Sequence, residues 1–412
     1  MFRFLGASLI ALFATVINAD DADVALDLPD TQALALTQQP LLDAQAAAAR
    51  AAREDAVAAQ QLPDPRLQTS ISDLTLTGSD RFTLQRETDT QFMVSLTQEF
   101  PRGESRRLTG ERGEREAEKL DVEGEATARR IRRESAEAWL YAWKAEQAVM
   151  IARETEREAE LQTQAADIAY TAGRASQADV LTARAARAQA ADTVADLRQQ
   201  TAHARAQLSR WIGTAADRPL CPDLPDWREP PPLETILETL RTHPHLRAEF
   251  MQVAVAEADV ALARSAYRPG FEVGIGYGYR PAFADYANLS IAMDLPFFTQ
   301  NRQDRQLDAR LAGQRHAEQL AEDSLREHQA EARLNHGDWT RLQERLCYYE
   351  TEILKTASAR VESAVAAWQA GNGSLTAVLD ARRAHLDARM KQLELQLDAA
   401  KHRVMLAYLA GE

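Results

Sequence analysis

Residues 270–280 read GFEVGIGYGYR. Taken alternately, Phe271, Val273, Ile275, Tyr277 and Tyr279 fall on one side of an extended chain, and Glu272, Gly274, Gly276, Gly278 and Arg280 on the other. A period of two with one apolar and one small or polar side predicts a β-strand with unlike faces. The surrounding chain is rich in Ala, Leu, Arg, Glu and Gln, which favour helix. Three further segments repeat the strand pattern. Residues 286–295 place Ala287, Leu289, Ile291, Met293 and Leu295 in alternation, and residues 90–99 do the same with Phe92, Val94 and Leu96. Residues 66–77 begin in phase with Leu67, Thr69 and Ile71 and then switch to Leu74 and Leu76, which predicts a bulge near Asp73. Strands of about ten residues can cross a bilayer at a tilt. Four cannot close a membrane barrel, whose smallest examples have about eight, but three chains together would supply about twelve.

The chain of 412 residues carries a net charge of -14, which argues against nucleic acid, since a phosphate backbone requires a basic face. Aromatic residues are 6% of the total, few for one large globular core and suited to Ala-rich helices packed side by side. The first stretch, MFRFLGASLIALFATVINAD, has one Arg and an apolar run from Leu5 to Ile17. It is expected to be a signal peptide over 1–19, the alternative being an N-terminal anchor helix. No Cys lies near the expected cut, so a lipid-modified N-terminus is not expected. Beyond it no apolar run approaches the ~20 residues of a transmembrane helix; membrane crossing by strands stays open, because a closed barrel also satisfies its backbone hydrogen bonds.

The sequence contains itself twice. YTAGRASQADVLTAR from Tyr170 and WQAGNGSLTAVLDAR from Trp368 align without gaps. Pro40-Leu41-Leu42 answers Pro244-His245-Leu246, Pro65 answers Pro269, and Phe100-Pro101 answers Leu295-Pro296. A first repeat over 20–213 and a second over 233–412 are expected, joined by a Pro-rich linker, 214–232. Each repeat should run as a helix (30–61 or 233–266), a β-hairpin (66–99 or 270–296), a long helical stretch (104–171 or 302–369), a Gly-containing turn (172–177 or 370–375) and a last helix (177–211 or 375–409). The long stretch would span close to 100 Å at 1.5 Å per residue. Ala and Leu on its seams with Arg and Glu elsewhere suit antiparallel coiled-coil packing.

Chemistry-bearing patterns are sparse. No phosphate-binding Gly loop, nucleophile elbow or metal-ligand spacing is present, so no enzyme, cofactor or metal site is expected. His243 and His245 flank Pro244, which places them at a helix start and exposed; His316, His328, His336, His385 and His402 are scattered on helices. Metal ligation normally needs three or four convergent ligands. Cys221 and Cys347 could pair in an oxidising compartment or remain separate thiols.

Over nearly the whole chain after the N-terminal segment, the sequence resembles the TolC family of outer-membrane efflux proteins. The resemblance rests on the duplicated order, on GFEVGIGYGYR after Tyr267-Arg268-Pro269, on LPFFTQNR after the fourth strand, and on AGRASQADVLTAR and AGNGSLTAVLDAR at the turns. It implies a mostly helical homotrimer: a transmembrane barrel of twelve strands, four per chain, continued by a periplasmic α-helical barrel. It implies an outer-membrane location in a Gram-negative bacterium and a passive exit duct, loaded by an inner-membrane pump of the RND type through a periplasmic adaptor, or membrane fusion protein. The apolar strand face would meet outer-membrane lipid. The turns, through Gly173, Arg174, Ser176, Gly371, Gly373 and Ser374, would form the adaptor-docking tip. Asp380 would mark the constriction, with Asp179 and Trp368 in the closing links; Ala377 stands where the family commonly has a second acid, and Gly373 replaces a basic partner. Asp179 and Asp380 also read as acids complementing a helix N-terminus. The linker's place around the helical barrel implies a possible Cys221–Cys347 disulfide. FPRGESRR and LPFFTQNRQ look closer to the heavy-metal-efflux branch, which makes metal cations possible cargo. A type I protein-secretion duct and a periplasmic coiled-coil adaptor or structural protein are the alternatives.

Overall fold

The structure is a computed structural model that describes residues 25–84, 88–227, 229–281 and 283–411. The expected signal peptide, 1–19, lies outside the described residues. Among the described residues two units can be distinguished: one within 25–39, 131–230 and 335–407, the other within 40–130, 231–334 and 408–411.

The second unit holds the sheet. Its strands β1 (Arg66–Ser72), β2 (Gln91–Phe100), β3 (Gly270–Tyr279) and β4 (Tyr286–Asp294) lie in that order, every pair antiparallel. The repeats contribute two strands each, joined by the β2–β3 ladder. Asp73 is not a bulge inside the β1–β2 ladder, which runs unbroken from Arg66 to Ser72; it ends the strand with a left-handed φ of 57°. Leu74 and Leu76 change phase because they are past the ladder.

Helix α2 (Pro40–Ala59) and the first part of α3 (Ser105–Thr171) accompany the sheet, with α5 (Leu233–Thr239), α6 (Pro244–Ser265) and the first part of α7 (Gln303–Tyr348) from the second repeat. Arg53 pairs with Asp121, and Arg112 donates to Asp259 at 3.0 Å. Ile236, Leu240 and Leu246 are fully buried where α5 gives way to α6. The single helices expected over 30–61 and 233–266 are each divided. Gln39 is extended before Pro40, and His243 is extended before Pro244. The cause in both cases is proline, which takes the first helical position and pushes the preceding residue out of helix.

The first unit contains α1 (Leu28–Gln38), the remainder of α3, α4 (Gln177–Ile212), the linker, the remainder of α7, α8 (Leu354–Gln369) and most of α9 (Leu375–Ala410). Along α4 the covered residues Val194, Leu197, Ala204 and Leu208 recur at spacings of three and four with Thr201 half-buried between, the heptad seam of helices that coil about each other. The linker is docked, not free. Leu26 bridges Leu220 in parallel, Trp139 Nε1 donates to Leu26 O at 3.0 Å, and Trp143 Nε1 donates to Pro222 O at 2.8 Å. The second long stretch departs from one continuous helix: a π-helical turn, Tyr349–Ile353, separates α7 from α8. No helix among the described residues is long and apolar enough to cross a membrane.

Candidate functional site

The sheet and the two turns are the places where sequence and geometry together suggest a task. In the sheet, strand register decides which residues share a face. Leu67, Leu96, Ile275 and Leu289 form one row across all four strands, and Phe100, Phe271 and Met293 another. Phe100 and Phe271 stack with ring centroids 4.8 Å apart. On the opposite side, Gln68, Ser95, Gly276 and Asn288 form a row, followed by Thr97, Gly274 and Ser290. Tyr286 donates from this side to Gln91 Oε1 at 2.7 Å. The apolar side is left uncovered by its own chain: Ile275 is 58% and Leu289 69% exposed. Phe271, Tyr277 and Tyr279 are exposed and Val273 is half-buried. Exposed leucines and isoleucines in four adjacent strands form a contiguous apolar surface, which a chain in water does not leave open.

The two turns are built alike. Gly173 N donates to Tyr170 O at 2.9 Å and Arg174 N to Ala169 O at 2.8 Å; Gly371 N donates to Trp368 O at 3.0 Å and Asn372 N to Ala367 O at 2.9 Å. These bonds close the ends of α3 and α8 with glycine in the left-handed region, φ 72° and 77°. A Cβ on Gly373 would meet Trp368 N at 3.0 Å, a tight contact that any side chain there could make only if its neighbours shifted slightly. Gly173, Arg174, Ser176, Gly371, Gly373 and Ser374 are all exposed.

The starts of the helices that follow differ. Ser176 caps α4 and shares a capping box with Asp179: Asp179 Oδ2 accepts from Ser176 N at 2.8 Å and from Ser176 Oγ at 2.7 Å. These bonds hold the Asp179 carboxyl below its ordinary range. Ser374 accepts from Ala377 N at 3.2 Å, but Ala377 has no carboxylate to return the bond. Trp368 packs against the apolar cluster of Ala166, Val180, Ala183 and Leu375. It therefore sits beside the residue that follows Asp179, while the Asp179 carboxylate turns to Ser176. Asp380 is exposed on α9 and lines a groove of about 580 Å³ with Thr155, Gln189, Arg382 and Asp387.

Arg382 and Arg389 were not singled out by the sequence. Arg382 pairs with Glu158, and Arg389 with Glu154 at 2.5 Å, so α9 is clipped to α3 by two charge pairs. Glu154 and Glu158 sit four apart on one helix face, but their partners lie over 200 residues away, where no local spacing points.

Cys221 and Cys347 are free thiols in the structure, one of the two states the sequence left open. Cys221 is held beside Leu26, to whose carbonyl its N–H donates at 3.0 Å, and the following carbonyl of Pro222 is fixed on α3. Cys347 is exposed on α7. His243 is not exposed: it is 3% accessible, covered by residues of α7 and α9. Among the described residues no group of three His, Cys, Asp or Glu could hold a metal ion.

A scan against family models matches the outer membrane efflux protein family over residues 32–214 and 235–412, one segment per repeat. Among the curated proteins none matches. Among solved structures the chain is similar to CusC at 17% identity and a TM-score of 0.81, with 94% of this chain and 93% of that one covered. It is similar to VceC from Vibrio cholerae at 17% identity and a TM-score of 0.78, covering 93% and 96%. It is also similar to CmeC of Campylobacter jejuni at 14% identity and a TM-score of 0.79, covering 93% and 85%. At these identities the structures speak for the fold, that of TolC-like channels with a strand barrel and a helical tunnel. With the family match running through both repeats, the chain belongs to the outer membrane efflux protein family, whose members are outer-membrane channels and not enzymes.

Proposed function

We propose that this channel is the passive exit duct of a tripartite efflux system, in which three chains pair their edge strands into one barrel. Channels of this family work as trimers with an adaptor and an inner-membrane pump. The observation that carries the reading is the sheet: both repeats contribute strands whose apolar residues fall in rows on one side, with glycine, serine and asparagine on the other. In a closed barrel the first side meets lipid and the second lines water. β1 and β4 are edge strands in a single chain, and closure through neighbouring copies would pair their free backbone groups.

The exposed turns are the docking surface for the adaptor, and the pump is of the RND type. Asp380 lines the narrowest part of the duct, where three carboxylates would raise the local cation concentration and disfavour anions. Metal cations are the favoured cargo; the support is FPRGESRR and LPFFTQNRQ in the sequence. The test is conductance of the purified protein in planar bilayers, with Asp380→Ala beside it. Discrete cation-preferring steps that lose their preference in the variant are expected. Because a closed tip is electrically silent, Arg382→Ala is measured in parallel to loosen α9 from α3. Silence in this variant as well overturns the duct, and unchanged selectivity in Asp380→Ala overturns the constriction.

A further inference from the structure

Three imidazoles meet in the unit that contains the sheet. His243 precedes α6 and is buried; its ring lies edge-on to Tyr408 of α9, centroids 4.7 Å apart, and 6.2 Å from His328 of α7. His245, half-buried, also stacks on His328, with ring centroids 5.2 Å apart. His328 is itself buried, and its Nδ1 is 2.8 Å from Ser324 O. That bond fixes Nδ1 as the donor, so the neutral ring keeps Nε2 as an acceptor. The cluster thus joins α6, α7 and the end of α9 through ring faces and edges.

The charges facing it are of both signs, with the cations set against His243. From α3 come Arg129 and Arg130; among the described residues Arg129 Nη1 is buried with no acceptor. Glu249 of α6 and Glu327 of α7 act on His245, and Glu327 is exposed to solvent. At His243 only the Tyr408 backbone favours the charged form. Rings so placed pack well when neutral and repel when charged.

We propose that His243 and His245, packed against His328, form a proton-triggered release at the start of α6, holding α6, α7 and the end of α9 together when neutral and letting them part when protonated. Burial, then the neighbouring His328 and Arg129, push His243 down to about 4, and burial also lowers His245. The sign follows from linkage. A loosened His243 takes a proton near 6.5, whereas the packed ring does so near 4. Acidification between those values therefore favours the loosened state, by about tenfold per pH unit. The segment affected is where the linker enters the second repeat, and the device does not depend on what the channel carries.

Amide hydrogen exchange of the full chain in detergent micelles tests it, with rates corrected for intrinsic pH dependence. Protection across 243–250 and 325–332 is expected to fall at least about tenfold from pH 7 to pH 4.5. In His243→Phe, which keeps a ring against Tyr408 without a titrating nitrogen, the fall should shrink to less than about threefold. His245→Asn, at the half-buried ring, is read in the same way should His243→Phe not assemble, and a partial reduction is expected. Equal protection at both pH values in the unaltered protein, or an undiminished fall in the variants that assemble, overturns the proposal.

Discussion

Ser176 and Ser374 occupy corresponding places in the two repeats, yet only Ser176 has a carboxylate three residues on to complete its box. Ser176→Ala should therefore cost about 1 kcal/mol at the start of α4, read as faster amide exchange over 177–181. Ala377→Asp should slow exchange over 375–379 by supplying the missing bond. The Asp179 carboxyl has its folded pKa below the ordinary value, so the cap's contribution is complete above the unfolded value of 3.8 and is lost as pH falls through the folded one. Exchange over 177–181 should accordingly rise only in strong acid, well below the range expected for the histidine cluster. At the thiols, intact mass should be the same with and without reductant. Cys347, being exposed, should react with maleimide faster than Cys221. The sequence allowed free thiols and a disulfide equally, because pairing depends on where the linker docks. That docking is decided by Trp139 and Trp143 on a distant helix.

Among the elements, the strands were the most legible, because side chains alternate with a period of two and a one-residue slip would move every apolar residue to the wrong side. On this basis Ile275→Arg should destabilise membrane insertion by about 2–4 kcal/mol if it lies near the midplane. Asn288→Arg, on the polar side, should change it little; folding into lipid vesicles followed by urea titration compares the two. Leu208→Ala in the fully buried seam of α4 should cost about 2–5 kcal/mol in chemical denaturation. Two features escaped pattern reading. A phase change at Asp73 looks the same whether a strand bulges or ends, and only the left-handed φ distinguishes the cases. His243 read as exposed because a histidine before Pro-capped helix starts has no local reason to be covered. Its cover comes from His328 and Tyr408, brought by tertiary packing.

For the whole molecule, duplication was visible as matching turns, prolines and strands, and the family match runs through both repeats. The candidate duct residues were less legible. A turn's shape is encoded locally by Gly173 and Gly371, whereas a constriction forms only among chains, and the charge pairs of Arg382 and Arg389 join residues far apart in sequence. The unequal turns have a consequence for stoichiometry. In the trimer proposed above, three chains would present six turns of two kinds, three with Asp179 in the box and three with Ala377 in its place. Six copies of a single partner could not meet equivalent surroundings on that trimer, so they would bind in two classes of three. A calorimetric titration of the assembled channel would then resolve two steps of equal amplitude in molar ratio, a threefold rim under an apparent sixfold one.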